Sequence, residues 1–306
     1  MEKFDRFLGS MFGLAVGDAV GTTVEFRARG NFSPVEDMVG GGPFALKAGQ
    51  WTDDTSMALC LAESLIKCEG VDLSNQLEKY LAWYEDGHLS STGVCFDIGN
   101  TTRQALLNFK KTRNPYSGPS GKYDAGNGSI MRLAPVAILY SYDSSKMVEM
   151  CVESSKTTHQ SKESLDGCEL FGALIYGALE GQSKEDVLSS ELIGQYSSNW
   201  SSSIREIALG SYKTKSESKI SSSGYVAHTL EAALWAFYHT QNFKDGLLKV
   251  VNLGDDADTT GAVYGQLAGA YYGINAIPLE WREKIVMYDT IQEFTEKLFE
   301  LHQKMS

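Results

Sequence analysis

The chain has 306 residues, 42% hydrophobic and 22% charged, enough to bury a sizeable core as one large domain or two. Its net charge of −12 argues against a nucleic-acid backbone as a general partner, because no basic stripe is present to neutralise phosphates; a nucleotide held by backbone amides or metal ions stays open. Five scattered cysteines without a CxxC pair, and an N-terminus lacking the basic region and cleavage site of a signal peptide, predict reduced thiols in a cytoplasmic protein.

In chain order, residues 5 to 24 read as a helix in which Gly9, Gly13, Gly17 and Gly21 recur every four residues. Residues 261 to 273 repeat the device with Gly261, Gly265, Gly269 and Gly273. Each glycine costs a helix about 0.8–1 kcal/mol relative to alanine, so a whole stripe predicts that these two helices pack closely. After Glu25, which reads as a solvated helix end, the chain loosens through Gly40, Gly41, Gly42 and Pro43 towards Trp51. Helical periodicity resumes at 54 to 69, at 74 to 87, and at 96 to 111, where Asp97 and Asn100 sit near the start and Asp97 reads as an N-cap.

A second loop, 112 to 129, leads into an apolar segment. Two helical stretches between 146 and 182 are separated around Thr157, Thr158 and His159. The serine-rich stretch 189 to 223 reads as surface, with Ile204, Ile207 and Leu209 suggesting a short helix inside it. Helices follow at 224 to 240, 243 to 252 and 280 to 304. Period-two patterns are few, so the fold is predicted to be all-α, with more than ten helices. Residues 259 to 279 carry no charge and contain GxxxG, yet Gln266, Asn275 and Pro278, with Asp258 and Glu280 on the flanks, favour a buried central helix over a membrane span.

Two acidic segments stand out. WTDDT (residues 51 to 55) and GDDADTTG (254 to 261) each open an apolar helix. Asp and Thr are good caps, but one or two carboxylates suffice for that, and unpaired charges beside core-like sequence are costly to bury. The candidate metal ligands are Thr52, Asp53, Asp54, Asp256, Asp258 and Thr259; Asp255 is expected to point away. An all-oxygen set suits Mg2+, Mn2+ or Ca2+, and this many carboxylates fits two divalent cations. If both segments share one site, residues 1 to 306 form a single domain.

The remaining signals are weaker. Gly126, Asn127, Gly128 and Ser129 can admit a phosphate to backbone amides, although a helix-initiating turn is the commoner use. His159 is isolated and reads as structural; Tyr225 reads as core or as a platform for a base. None of the cysteines has the surroundings of a nucleophile, and no GxSxG is present.

Taken together, the motifs GLAVGDAVGTTVEF, GQWTDDTSMALCLAESL, FDIGNTTRQAL, GNGSIMRLAPVA, TTHQ, SGYVAHTLEAALWAF and NLGDDADTTGAVYGQLAGAYYG resemble the ADP-ribosylglycohydrolase family nearly end to end. They are nearest to its bacterial branch that removes ADP-ribose from arginine. The resemblance implies an all-α fold and two Mg2+ or Mn2+ ions held by the six residues above, with Glu25 beside them. It also implies that Gly126, Asn127, Gly128, Ser129 and Met131 cradle the diphosphate and ribose, and that Asn100, His159 and Tyr225 line the ADP-ribose pocket. Asp97 would lie near the guanidinium, and Glu25 would be a second acid/base candidate. The implied substrate is an ADP-ribosyl-arginine protein and the product ADP-ribose, with no membrane partner. One departure is Gly254-Asp255, where many relatives have a glycine pair. A serine or ester linkage, a non-catalytic crystallin-like binder, and a two-metal phosphoanhydride hydrolase are the competing readings.

Overall fold

In a computed structural model, which describes residues 1–121, 123–197 and 199–306, the two glycine stripes lie against each other. Lys122, in the second loop, and Ser198, in the serine-rich stretch, fall outside the described residues. A Cβ on Gly13 would stand 2.1 Å from the carbonyl oxygen of Gly265, and one on Gly17 would stand 2.0 Å from that of Gly261. The pairing runs antiparallel, since Gly9 faces Gly269 while Gly21 faces Ala257. Backbone-to-backbone contact of this kind returns, through dense packing, what the glycines cost in helix propensity. Gly273 lies just past the helix, which ends at Tyr272, and turns the chain with φ at 79°, yet its backbone still packs against Gly9, with its carbonyl carbon 2.9 Å from where a Cβ on Gly9 would stand.

The helices, in order, are α1 (Lys3–Gly21), α2 (Asp53–Cys68), α3 (Leu73–Asp86), α4 (Asn100–Thr112), α5 (Ala134–Tyr140), α6 (Ser144–Lys156), α7 (Lys162–Leu179) and α8 (Lys184–Val187). They continue as α9 (Ser190–Ile193), α10 (Ser202–Ala208), α11 (Val226–His239), α12 (Phe243–Val251), α13 (Ala257–Tyr272), α14 (Leu279–Arg282) and α15 (Tyr288–Met305). The fold is all-α; among the described residues there is no strand, only the isolated bridges Gly41 to Leu46 and Gly126 to Tyr225.

Helix α13 is buried along almost its whole length, so the charge-free stretch is a core helix. Segment Lys3–Val24 is also long and apolar enough to cross a membrane, and 89% of its apolar window is buried inside the fold. Two predicted boundaries shift. The helix expected from 96 starts at Asn100, and the one expected over 280 to 304 is broken after Arg282, resuming at Tyr288 behind Met287 in a left-handed conformation. The short helix in the serine-rich stretch is α10, which buries Ile204 and Ile207, while Leu209 lies just past its end and is exposed.

The central pair positions everything that follows. Its antiparallel register sets the start of α13 beside the end of α1. Gln266, fully buried on α13, donates from Nε2 to the carbonyls of Ile130 (3.1 Å) and Met131 (2.7 Å) and accepts from the Ala134 amide (2.8 Å). The turn before α5 is thereby fixed against the core.

Candidate metal centre and cleft

Neither acidic helix is capped by its own preceding residue. Thr52 and Asp256 occupy the N-cap positions of α2 and α13, and neither makes a side-chain cap hydrogen bond. The amides are satisfied from elsewhere. At α2, Asp18 of α1 accepts from the Thr52 amide and hydroxyl, both at 2.9 Å, through Oδ1. Its Oδ2 accepts from the Thr55 amide (3.1 Å) and hydroxyl (2.6 Å). At α13, Oε2 of Glu25 accepts from the amides of Ala257 (2.7 Å) and Asp258 (3.2 Å). With capping delegated, the carboxylates on the helices themselves are left for another purpose.

Glu25 owes its position to the backbone. Phe26 donates its amide to the Asp255 carbonyl at 2.8 Å, and the Asp255 amide donates to the Arg27 carbonyl at 2.9 Å. Phe26 and Asp255 both take left-handed backbone conformations, with φ of 59° and 55°. This places Glu25 against Asp256 and Asp258, while the Asp255 side chain is exposed, as expected. Glu25 is 2% exposed, so it is no solvated helix end. Asp97 is likewise no cap: Gly99 occupies the N-cap of α4, and Asp97, with φ at 61°, lines the same pocket as Asp258.

The two acidic segments meet. Thr259 of α13 donates to Oδ2 of Asp54 at 3.4 Å, and the Thr52 hydroxyl oxygen, its proton already on Asp18, lies 3.4 Å from the same oxygen. The carboxylate oxygens of Glu25, Asp256 and Asp258 lie within 4.8 Å of one another. Asp53, Asp54, Asp258 and Thr259 are all buried. Burial, reinforced by neighbouring carboxylates, pushes Asp53, Asp54 and Asp258 well above the usual carboxylate range. Burial and the Asp256 charge push Glu25 up to about 8; burial also raises Asp97, to about 7.

So many carboxylates cannot ionise together in one dry pocket without positive charge, and no cationic side chain is among their hydrogen-bond partners described above. Oδ1 of Asp54 is buried and has no hydrogen-bond partner, as expected of an oxygen reserved for a cation. The donors are all oxygens. The acidic group can therefore hold a hard divalent cation.

The pocket floors a cleft of about 850 Å3, lined on the metal side by Glu25, Asp53, Asp97, Asp256, Asp258 and Thr259. Asn100, Gly126, Asn127, Gly128, Met131, His159 and Tyr225 line it further along, whereas Thr52 and Asp54 lie beneath. Ser129 is not in the lining: it is 1% exposed and its hydroxyl contacts the Cys168 thiol at 3.3 Å. The side-chain Nδ2 of Asn127 donates to Asp256 (2.8 Å) and Thr229 (2.9 Å), which ties the loop to the acidic group. Asn100 is exposed and accepts from Arg103 at 3.2 Å, and the Tyr225 hydroxyl donates to Ser203 at 3.0 Å.

His159 is structural and lines the cleft at once. Arg132, fully buried, donates to the Thr158 hydroxyl at 2.6 Å. A guanidinium only donates, so the Thr158 hydroxyl passes its own proton to Nδ1 of His159, 2.9 Å away. Burial and the Arg132 charge lower the His159 pKa to about 3, which keeps the ring neutral. The proton is then on Nε2, a donor for an anionic or hydroxyl oxygen. The ring also explains the glycines beneath it. A Cβ on Gly128 would stand 2.7 Å from Cε1 of His159, and one on Gly126 would stand 3.1 Å from Nε2. Their smallness makes room for the imidazole, a reason that the sequence did not suggest.

Sequence reasoning passed over Asp18. Its signal was available: it is the one acidic residue in the otherwise uncharged stretch from Leu8 to Val24, and a charge there needs a buried partner. Burial raises its pKa to about 6.

A buried acidic group that could hold a divalent cation, at one end of a ligand-sized cleft in an all-α fold, is a candidate active site. The family model described as ADP-ribosylglycohydrolase matches residues 1–306, and the chain belongs to that family. A curated relative from Pseudomonas putida (strain GB-1), "ADP-ribosylarginine hydrolase Tri1", is 44% identical over 303 residues, covering 98% of this chain and 79% of its own length. "ADP-ribosyl-[dinitrogen reductase] glycohydrolase" of Rhodospirillum rubrum is 34% identical over 292 residues, covering 92% and 91%. A solved structure described as an ADP-ribosylglycohydrolase-related protein complex matches with a TM-score of 0.88 at 40% identity, covering 98% of this chain and 99% of that one.

Proposed function

We propose that this protein hydrolyses the N-glycosidic bond between ADP-ribose and an arginine side chain of a modified protein, releasing ADP-ribose. The observation that carries the reading is the buried, mutually close carboxylate group at one end of a cleft large enough for a dinucleotide-sized ligand. The names of the relatives, at 34–44% identity over nearly the whole chain, agree with it. We read residues 1 to 306 as a single cytoplasmic domain.

Thr52, Asp53, Asp54, Asp256, Asp258 and Thr259 would hold two divalent cations, Mg2+ or Mn2+, with Glu25 alongside. Bound there, the cations supply positive charge that attracts and orders the hydroxyls of the proximal ribose. The chain's own groups do the rest. His159 offers its Nε2 proton to the diphosphate or distal ribose, and Gly126, Asn127, Gly128 and Met131 form the wall beside it. Asp97 takes the guanidinium of the scissile arginine and gives a proton to its nitrogen as the bond to the anomeric carbon breaks; a water oxygen bonds to that carbon in its place and loses a proton to Glu25, the second acid/base candidate. The surrounding carboxylates favour the positive charge that develops on the sugar.

The test is incubation with an ADP-ribosyl-arginine protein and a serine-linked counterpart, with Mg2+ or Mn2+ or a chelator. The reading expects cation-dependent release of intact ADP-ribose from the arginine substrate, abolished in Asp256→Ala. AMP as the product would replace it with phosphoanhydride cleavage, and release from the serine substrate alone would replace the linkage.

A further inference from the structure

A row of three phenylalanines runs from the metal end of the cleft, which its first ring, Phe26, lines, and the acidic chemistry described above does not use it. Phe26 and Phe44 have ring centroids 6.2 Å apart at 74°, and Phe44 and Phe96 have centroids 5.2 Å apart at 59°. The ends of this row are adjacent in sequence to the two acid/base candidates: Phe26 follows Glu25, and Phe96 precedes Asp97. Phe26 lines the cleft and is 65% exposed, a large apolar side chain left in water beside a carboxylate pocket. Its backbone is held at a φ of 59°, which a side-chain-bearing residue adopts only at a cost, and two backbone hydrogen bonds to Asp255 and from Asp255 to Arg27 enforce it. Asp97 at the other end is held at 61°. Two such positions flanking one aromatic row fix rings and carboxylates in a single relative arrangement.

What such a surface fits is a planar delocalised cation on an apolar stem. An arginine side chain lays three methylenes and a guanidinium along an aromatic face while its nitrogens reach carboxylates, which neither a serine nor an ester carbonyl can do. We propose that Phe26, backed by Phe44 and Phe96, is the leaving-group platform that selects an arginine side chain at the scissile bond, with Glu25 and Asp97 at its two ends. This rests on the arginine reading of the cleft. Phe26 acts here on specificity and positioning, and the nucleotide half of the ligand is left to the Gly128, His159 and Tyr225 part of the cleft lining.

The experiment compares wild type, Phe26→Ala, Phe26→Leu and Phe26→Tyr in the presence of Mn2+. Truncating a residue this exposed leaves the core untouched. Steady-state kinetics on an ADP-ribosyl-arginine peptide are expected to show KM raised about fivefold to tenfold in Phe26→Ala, scaled to one aromatic–cation contact, with Phe26→Leu recovering little of it and Phe26→Tyr nearly all. Affinity for ADP-ribose, which has no guanidinium, stays within twofold. Unchanged KM in Phe26→Ala overturns the platform, and so does an equal loss of ADP-ribose affinity, which would put the ring on the nucleotide. A wild type that turns over no arginine-linked substrate counts against the function reading instead. A second arm then decides the platform without turnover: binding of L-arginine amide to the ADP-ribose-loaded protein, weakened about fivefold in Phe26→Ala if the platform is right and identical if it is wrong.

Discussion

At the start of α2, both oxygens of Asp18 are occupied, each accepting one backbone amide and one threonine hydroxyl. At the start of α13, Glu25 spends only Oε2 on the two amides, and the same carboxylate sits within 4.8 Å of Asp256 and Asp258. One distant carboxylate caps each helix, but the first is used up by the task and the second has an oxygen to spare. Capping from a distance frees Asp53 and Asp54 at α2 and leaves Asp258 at α13 with only Oδ1 engaged, by the Thr259 amide at 2.6 Å. Only at α13 does the cap itself join the acidic group. Asp18 is thus a positioning residue, and Glu25 is both cap and candidate ligand neighbour.

The largest effect should come from removing the frame that both starts share. Gly265→Val puts a side chain where even a Cβ would be 1.9 Å from the Gly13 carbonyl oxygen, so α1 and α13 must separate. We expect about 3 kcal/mol of destabilisation or more, read as a loss of soluble protein or a large drop in melting temperature.

Next, the two caps should separate by substitution. With Mn2+ saturating, Asp18→Ala leaves two buried amides and two hydroxyls without their acceptor and should cost about 2–4 kcal/mol in denaturant melts. Glu25→Gln keeps an oxygen that can accept from Ala257 and Asp258, so stability should move by about 1 kcal/mol or less. Its cation affinity, by titration calorimetry, should fall about tenfold or more. A Glu25→Gln protein that loses stability as Asp18→Ala does, yet keeps full cation affinity, would erase the distinction.

The smallest effect is in pH. Asp18, Glu25 and Asp97 have folded-state pKa values raised to about 6, 8 and 7 from ordinary values near 4. Through these three groups the folded chain binds more protons than the unfolded chain between pH 4 and 8, so their contribution to stability falls as pH rises, opposed below the ordinary histidine range by the buried neutral His159. Cation-free protein should melt higher at pH 5 than at pH 8. Mn2+, which replaces those protons, should raise the melting temperature more at pH 8 than at pH 5. Equal shifts at the two values would mean that cations do not compete with protons in this pocket.

The glycine stripes and the acidic helix starts could be read from sequence because each is a local pattern with a physical demand: bare backbone needs close contact, and clustered carboxylates need a counter-charge. The pairing across the core followed from those demands alone. What escaped depended on backbone turns written without glycine. Phe26, Asp97 and Asp255 all take positive φ, and nothing in VEFRA or CFDIG announces it. Glu25 and Asp97 therefore read as ordinary helix ends, whereas the turns carry both into the acidic group. Gly126 and Gly128 were noticed for a different reason from the one observed, since the ring that needs their smallness comes from the far side of α6. Ser129 looked like part of a cradle, but its hydroxyl faces Cys168.

The measurement that tests the central claim most directly is the stoichiometry of Mn2+ binding to wild type, Asp54→Ala and Asp258→Ala by calorimetry, with folding checked by circular dichroism. The account predicts two ions per wild-type chain and a loss of binding from either substitution, because ligands from α2 and α13 enclose one shared site. Undiminished binding in either folded variant would show that the two helix starts do not act together, and would contradict it.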